Sequence, residues 1–171
     1  MGITGIETAE ILKGIIERIK PNAVIAIDAL AARRTSRINS VIQIADSGIS
    51  PGSGVGNKRM LLNEESLGVP VIGIGVPTVV SAATLVNDSM ERILSAMAEA
   101  SKEKLFYNTL NNLGDEREAL IAELLEPYAE NMFVTPKEVD EVIERLAEII
   151  SNAINIAVHP ALTKEDINKY V

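Results

Sequence analysis

The run Ala23-Val24-Ile25-Ala26-Ile27 constrains this chain more than any other segment. It is short, unbroken by polar residues and rich in β-branched side chains, which predicts a strand buried on both faces. Lys20-Pro21-Asn22 closes the preceding segment, where Leu12, Ile15, Ile16 and Ile19 keep helical spacing. Thr4-Gly5-Ile6-Glu7 reads as the capping box of that helix. Val41-Ile42-Gln43-Ile44 and Val71-Ile72-Gly73-Ile74-Gly75-Val76 are two further strand candidates, separated by a glycine-rich loop from Gly48 to Asn57.

Helix, strand, strand, strand, helix is an α/β pattern. Buried parallel sheets usually hold more strands than the three visible here, so further strands are expected to come from sequence outside this chain. After Pro77 the spacing predicts a helix with Val86, Met90, Ile93, Leu94 and Met97 on one face. The polar, Asn-rich stretch from Glu99 to Gly114 reads as a mobile connection or a lid. Asp115-Glu116-Arg117-Glu118 opens another helix, with Leu120, Ile121, Leu124 and Leu125 expected inward. Thr135-Pro136-Lys137-Glu138 combines a cap, a first-turn proline and a glutamate. The helix it starts carries Val139, Val142, Ile143, Leu146, Ile150, Ala153, Ile154 and Ala157 on one side until His159-Pro160, and Thr163 caps a short last helix.

Composition excludes several functions. With 171 residues, 47% of them apolar, the chain can bury a core of its own. Its apolar content is aliphatic: no Trp, two Phe and three Tyr leave little for base-stacking platforms or sugar clefts. A net charge of -8 disfavours general binding to nucleic acid or anionic membranes. The absence of cysteine removes disulfides, thiolate catalysis and Cys-ligated metals, and fits a reducing compartment. The apolar stretches are short and Gly-punctuated, which predicts no membrane span. No metal and no cofactor is expected, because a single histidine and no EF-hand loop leave only scattered carboxylates.

Asp28 is the first candidate for chemistry. In an open α/β sheet, sites form in the crevice beyond the carboxyl ends of strands, and an acid directly after a strand points into it. Position alone leaves a second reading open, in which Asp28 caps a helix beginning at Ala29-Leu30-Ala31. Arg33, Arg34 and Arg37 follow; on a helix Arg33 and Arg37 share a face, either gripping a carboxylate or lying solvated.

The loop Pro51-Gly52-Ser53-Gly54-Val55-Gly56-Asn57-Lys58-Arg59 matches neither the Walker nor the dinucleotide pattern. So long a glycine run implies positive φ or close approach to something, for which a substrate main chain is one candidate. Asp46 reads as a turn former and Asp88 as a residue on the polar face of its helix. Ser53 has no plausible histidine partner, because His159 is the only one and sits at a helix end. Three functional classes stay open on these residues: a hydrolase, a phosphate- or nucleotide-binding α/β module using Gly52 to Lys58, and a non-catalytic assembly domain using the helix from Val139 to Val158.

Several longer motifs narrow the choice. Thr4-Gly5-Ile6-Glu7-Thr8, Ala26-Ile27-Asp28-Ala29-Leu30-Ala31, Gln43-Ile44-Ala45-Asp46-Ser47-Gly48, the Pro51 to Arg59 loop, Leu67-Gly68-Val69-Pro70-Val71, Gly75-Val76-Pro77-Thr78-Val79-Val80 and Val134-Thr135-Pro136-Lys137-Glu138 together resemble the germination protease family of spore-forming bacteria. The resemblance covers nearly the whole chain. It implies a three-layer α/β sandwich with a mostly parallel or mixed central sheet, similar to hydrogenase-maturation endopeptidases and phosphorylase/hydrolase-like. It also implies an atypical aspartic endopeptidase, made as a zymogen, that cuts small acid-soluble spore proteins in the spore core, a cytoplasmic compartment, and assembles as a homotetramer. Direct contact with nucleic acid is not expected.

Family chains are about twice this length, so the resemblance places residues 1 to 171 as one α/β domain, the C-terminal portion of a longer peptidase. Asp28 matches one of two aspartates proposed as catalytic, and the other falls in a segment upstream. Gly52, Ser53, Gly54, Gly56, Asn57, Lys58 and Arg33 are the companion residues expected to line the site or hold substrate. One departure stands out: the family has an Asp after Pro-Thr-Val-Val, where this chain has Ser81.

Overall fold

The computed structural model describes residues 8–52, 60–100, 116, 119–121, 123–125 and 132–166. The chain divides into two units, Met1–Thr135 and Pro136–Val171.

The first unit is built on an open, mixed sheet of four strands, β1 (Val24–Ala32), β2 (Gln43–Ala45), β3 (Val71–Ser81) and β4 (Phe133–Val134). β3 is central. It runs parallel to β1 on one side and antiparallel to β2 and β4 on the other. The helices that accompany the sheet include α1 (Thr8–Ile19), α2 (Glu64–Leu67) and α3 (Ala82–Ala100). This is the α/β class the sequence pattern predicts, with a sheet that is mixed.

The strands are longer than their apolar runs. β1 continues through Ala32, and β3 passes through Pro77 to Ser81 before α3 begins. Pro77 is tolerated there because the β1–β3 register slips next to it: Leu30 faces Pro77 but Ala31 faces Val79. Thr78 is therefore the extra residue of a bulge, where a missing ladder N–H costs little. Thr78 is buried, and its carbonyl accepts the Thr135 hydroxyl at 2.9 Å.

The core lies on one face of β1. Ala9 and Ile16 of α1, Ile49, Leu62, Leu67 of α2 and Val71 form it, with Leu12, Val24, Ala26, Leu30 and Val69 packed against them. Each large aliphatic side chain buried there contributes roughly 1.5–3 kcal/mol. Of the four apolar residues that mark α1 in the sequence, Leu12 and Ile16 serve this core, whereas Ile15 and Ile19 are exposed.

The other face of β1 corrects the expectation of a strand buried on both sides. Ile25 is 39% exposed and Ile27 54%, although Ile74, opposite Ile27 on the same face, is buried. Leu120 and Leu124, expected inward, are likewise exposed, and of that quartet only Ile121 is buried. Two short elements escaped the periodicity. Asn63 and Ser66 form a reciprocal capping box that starts α2, which Gly68 ends at φ 75°. β4 is too short to leave a pattern.

The second unit contains α4 (Val139–Val158) and a 3-10 turn, Lys164–Asp166. α4 ends at His159 as its spacing requires. Its predicted cap does not form: Glu138 occupies the cap position without a side-chain bond, and the Thr135 hydroxyl is engaged by β3 instead. Thr163 and Asp166 close the last turn, the carboxylate accepting both the N–H and the hydroxyl of Thr163. The start signal at Thr4 to Glu7 and residues 101–114 of the expected lid lie outside the described residues; Glu99 belongs to α3.

Candidate active site

Asp28 is the fifth of the nine residues of β1. It neither follows the strand nor caps a helix, and both readings are corrected by the same fact: Ala29 to Ala32 stay extended and paired to β3. Strand alternation puts Asp28 on the face of Val24, Ala26 and Leu30, the face that carries the core. It sits at the margin of that core, half-buried. Its Oδ2 accepts the backbone N–H of Gly52 at 3.3 Å.

Glycines make this approach possible. Leaving β2, the chain turns at Asp46-Ser47 and crosses the sheet through Gly48, whose φ is 87°. A Cβ on Gly48 would strike the Leu62 carbonyl at 2.0 Å, and one on Gly73 would meet the Gly48 carbonyl at 2.8 Å. The crossing segment therefore lies backbone against backbone on β3. Ile49 pairs with Leu62 to anchor it, and Gly52, at φ 70°, turns its N–H to Asp28. Alternate glycines in Val71-Ile72-Gly73-Ile74-Gly75-Val76 are the sequence signal of this close approach.

Gly75 stands opposite Asp28 in the β1–β3 register and opposite Gln43 in the β2–β3 register. Residues directly opposite one another share a sheet face, so Asp28, Gly75 and Gln43 form one row across three strands. The Leu30 side chain fills the space above Gly75, its Cδ1 lying 2.2 Å from where a Cβ would be. The row thus presents a carboxylate, an aliphatic floor and an exposed carboxamide. Gln43 was not singled out by sequence reasoning, because register is invisible without pairing.

The other sequence candidates are distributed as follows. Arg33 and Arg34 lie in a bend and Arg37 in the 3-10 turn Thr35–Arg37, so the helix that would align Arg33 with Arg37 does not form. All three are exposed. Arg33 lies in the bend past the end of β1, and no hydrogen bond or ion pair among the described residues joins it to Asp28. Ser53, Gly54, Gly56, Asn57 and Lys58 lie outside the described residues; of the loop's candidates only Gly52 is placed. Asp46 occupies its expected turn.

Asp88 has a role its helical position did not reveal. Its Oδ2 accepts the Thr35 N–H at 2.6 Å and the Thr35 hydroxyl at 2.8 Å, which ties α3 to the β1–β2 connection. Ser81 caps α3, its Oγ accepting the N–H of Thr84 at 3.1 Å. Among the described residues no group of three or more His, Asp or Glu could hold a metal ion. No helix among them is long and apolar enough to cross a membrane.

Comparison with known proteins agrees with the motifs. The sequence model of the germination protease family matches residues 1–110 and 96–171. A germination protease of Clostridium tetani is 56% identical over 100% of this chain and 54% of its own length. Those of Caldanaerobacter subterraneus subsp. tengcongensis and Bacillus subtilis are 54% and 43% identical over 99% of this chain, and over 53% and 55% of their own lengths. The chain spans about half the length of the curated relatives it matches. By identity along its whole length, this chain belongs to the germination protease family.

Proposed function

We propose that the chain carries half of an endopeptidase site, with Asp28 as one of two carboxylates in a water-activating, aspartate-type mechanism. The observation that carries this reading is the setting of Asp28. It is an acid held mid-strand at the margin of the core, fixed by a loop N–H, on a strand that among the described residues has one partner, β3. In such a mechanism one carboxylate takes a proton from water as its oxygen attacks the scissile carbonyl carbon. A second, protonated carboxyl gives its proton to the carbonyl oxygen. The tetrahedral intermediate then breaks its C–N bond as the amine is protonated. One carboxylate cannot fill both roles at once. The second aspartate, together with further strands, belongs to the upstream half that the longer relatives have. The substrate is a small acid-soluble spore protein, the setting the germinating spore core, and the longer protein a zymogen that assembles as a homotetramer.

Incubation with a small acid-soluble spore protein, with products read by mass spectrometry, tests this. Residues 1–171 alone should leave the substrate intact. The same chain extended upstream to the relatives' length should cut it, and Asp28→Asn should abolish the cut. Undiminished cleavage by that variant, or Asp28-dependent cleavage by residues 1–171 alone, would overturn the reading.

Of the residues Gly52 to Lys58 on which the phosphate-binding alternative rests, only Gly52 is among the described residues, and its N–H is given to the Asp28 carboxylate. Self-association is favoured by one observation: Ile143, Ile149 and Val158 of α4 are exposed. It is compatible with the peptidase reading, and light scattering of the chain tests it.

A further inference from the structure

The row Asp28, Gly75, Gln43 carries an inference about substrate binding, and it rests on the reading of Asp28 as a peptidase residue. We propose that Gln43 is a substrate-positioning residue of the Asp28 site, holding a peptide group of the bound polypeptide through its carboxamide.

Three observations converge on Gln43. First, its register places it on the Asp28 face, two strands away, with a glycine between them. Two inter-strand spacings separate the backbones by roughly 10 Å. Second, among the described residues the surface between the two is aliphatic: Gly75 contributes no side chain and is buried under Leu30. Third, the row is crossed by backbone on one side, and its two polar ends are accessible. The Gly48 carbonyl lies over Gly73, two residues back along β3, whereas Gln43 is exposed and Asp28 only half-buried.

The chemistry of the two ends is complementary to a peptide. A carboxylate can only accept hydrogen bonds or activate water. A carboxamide both donates and accepts, as a peptide group requires of a partner that fixes its orientation. Gln43 thus supplies the neutral contact that Asp28, as the reacting group, cannot.

The experiment is a titration of isotopically labelled chain with an intact small acid-soluble spore protein. It is followed by NMR of backbone and side-chain amides, with affinity from fluorescence anisotropy. The expected result is a shift of the Gln43 side-chain NH2 signals together with those of Asp28 and Gly52. Gln43→Ala should weaken binding roughly fivefold, the worth of one hydrogen bond at an accessible site, with the thermal midpoint unchanged. Gln43→Glu, which keeps an acceptor and loses the donor, should not restore it. If Asp28 and Gly52 shift while the Gln43 carboxamide does not, and Gln43→Ala binds as tightly as the parent chain, this inference falls and the Asp28 site stands. If neither residues 1–171 nor the same chain extended upstream to the relatives' length binds, or the shifts lie away from Asp28, the peptidase reading of the site falls and this inference with it.

Discussion

Asp88 on α3 accepts two hydrogen bonds from Thr35, one from its backbone N–H and one from its hydroxyl, across 53 residues of sequence. The pair pins the connection between the strand carrying Asp28 and the strand carrying Gln43. Hydrogen bonds to a charged acceptor are worth more than neutral ones, and partial exposure discounts them. Asp88→Ala is expected to cost about 1–2 kcal/mol in urea unfolding, and Asp88→Asn, which keeps an acceptor, less than half of that. Thr35→Val should lose only the hydroxyl's share. A double-mutant cycle with no coupling between positions 35 and 88 would show that the pair is not formed in solution.

Gly48 is the tightest point of the loop that reaches Asp28. A side chain there would combine left-handed backbone strain with a Cβ set 2.0 Å from the Leu62 carbonyl. Left-handed φ alone costs about 1–2 kcal/mol for a non-glycine residue, and the backbone clash adds to it. Gly48→Ala is therefore expected to destabilise the chain by roughly 3 kcal/mol in thermal or urea unfolding. A loss under 1 kcal/mol would mean the crossing segment is not seated on β3.

Gly75 poses a milder problem, because the atom in the way is the end of a side chain, Leu30 Cδ1. Leu30 can rotate, so Gly75→Ala should cost about 1–2 kcal/mol as overpacking. It should also raise the floor between Asp28 and Gln43. On the proposed reading, binding of a small acid-soluble spore protein should fall about tenfold, whereas a stability loss of this size leaves the affinity of a folded chain unchanged. Anisotropy titration against urea unfolding separates the two effects.

Ser81 stands immediately before the first residue of α3. Its hydroxyl accepts a first-turn N–H of α3, so Ser81→Ala is expected to cost about 1 kcal/mol. Asp is an equally good cap and adds a favourable charge at a helix N-terminus, so Ser81→Asp should be neutral or stabilising by a few tenths of a kcal/mol. Thermal midpoints of the two variants check this. Equal losses for both would indicate that the side chain at 81 is not a cap.

The sheet face opposite Asp28 shows Ile27 at 54% and Ile44 at 71% exposure, with Ile25 and Ile72 beside them. Exposed apolar patches of this kind promote association. Sedimentation velocity should show concentration-dependent species at micromolar chain, reduced when Ile27 and Ile44 are both replaced by Thr. Purely monomeric behaviour across that range would contradict the exposure.

The sequence by itself determined the α/β class, the helices α1 and α4, and three of the four strands, because each leaves a periodic or continuous apolar run. It also determined the family, because the motifs around Asp28, the glycine loop and Pro77 are long and ordered. It marked Asp28 but misplaced its setting. Ala29, Leu30 and Ala31 are helix-tolerant residues, and only pairing with β3 holds them extended. It read Asp88 only as a residue on the polar face of its helix, because its partner Thr35 is remote in sequence. The tertiary structure alone decided which residues share the face of Asp28. A strand's side chains alternate with a period of two, so the row Asp28, Gly75, Gln43 exists only through a register set by long-range hydrogen bonds. Local preference can name an acid at a strand; the pairing of three strands decides what stands across from it.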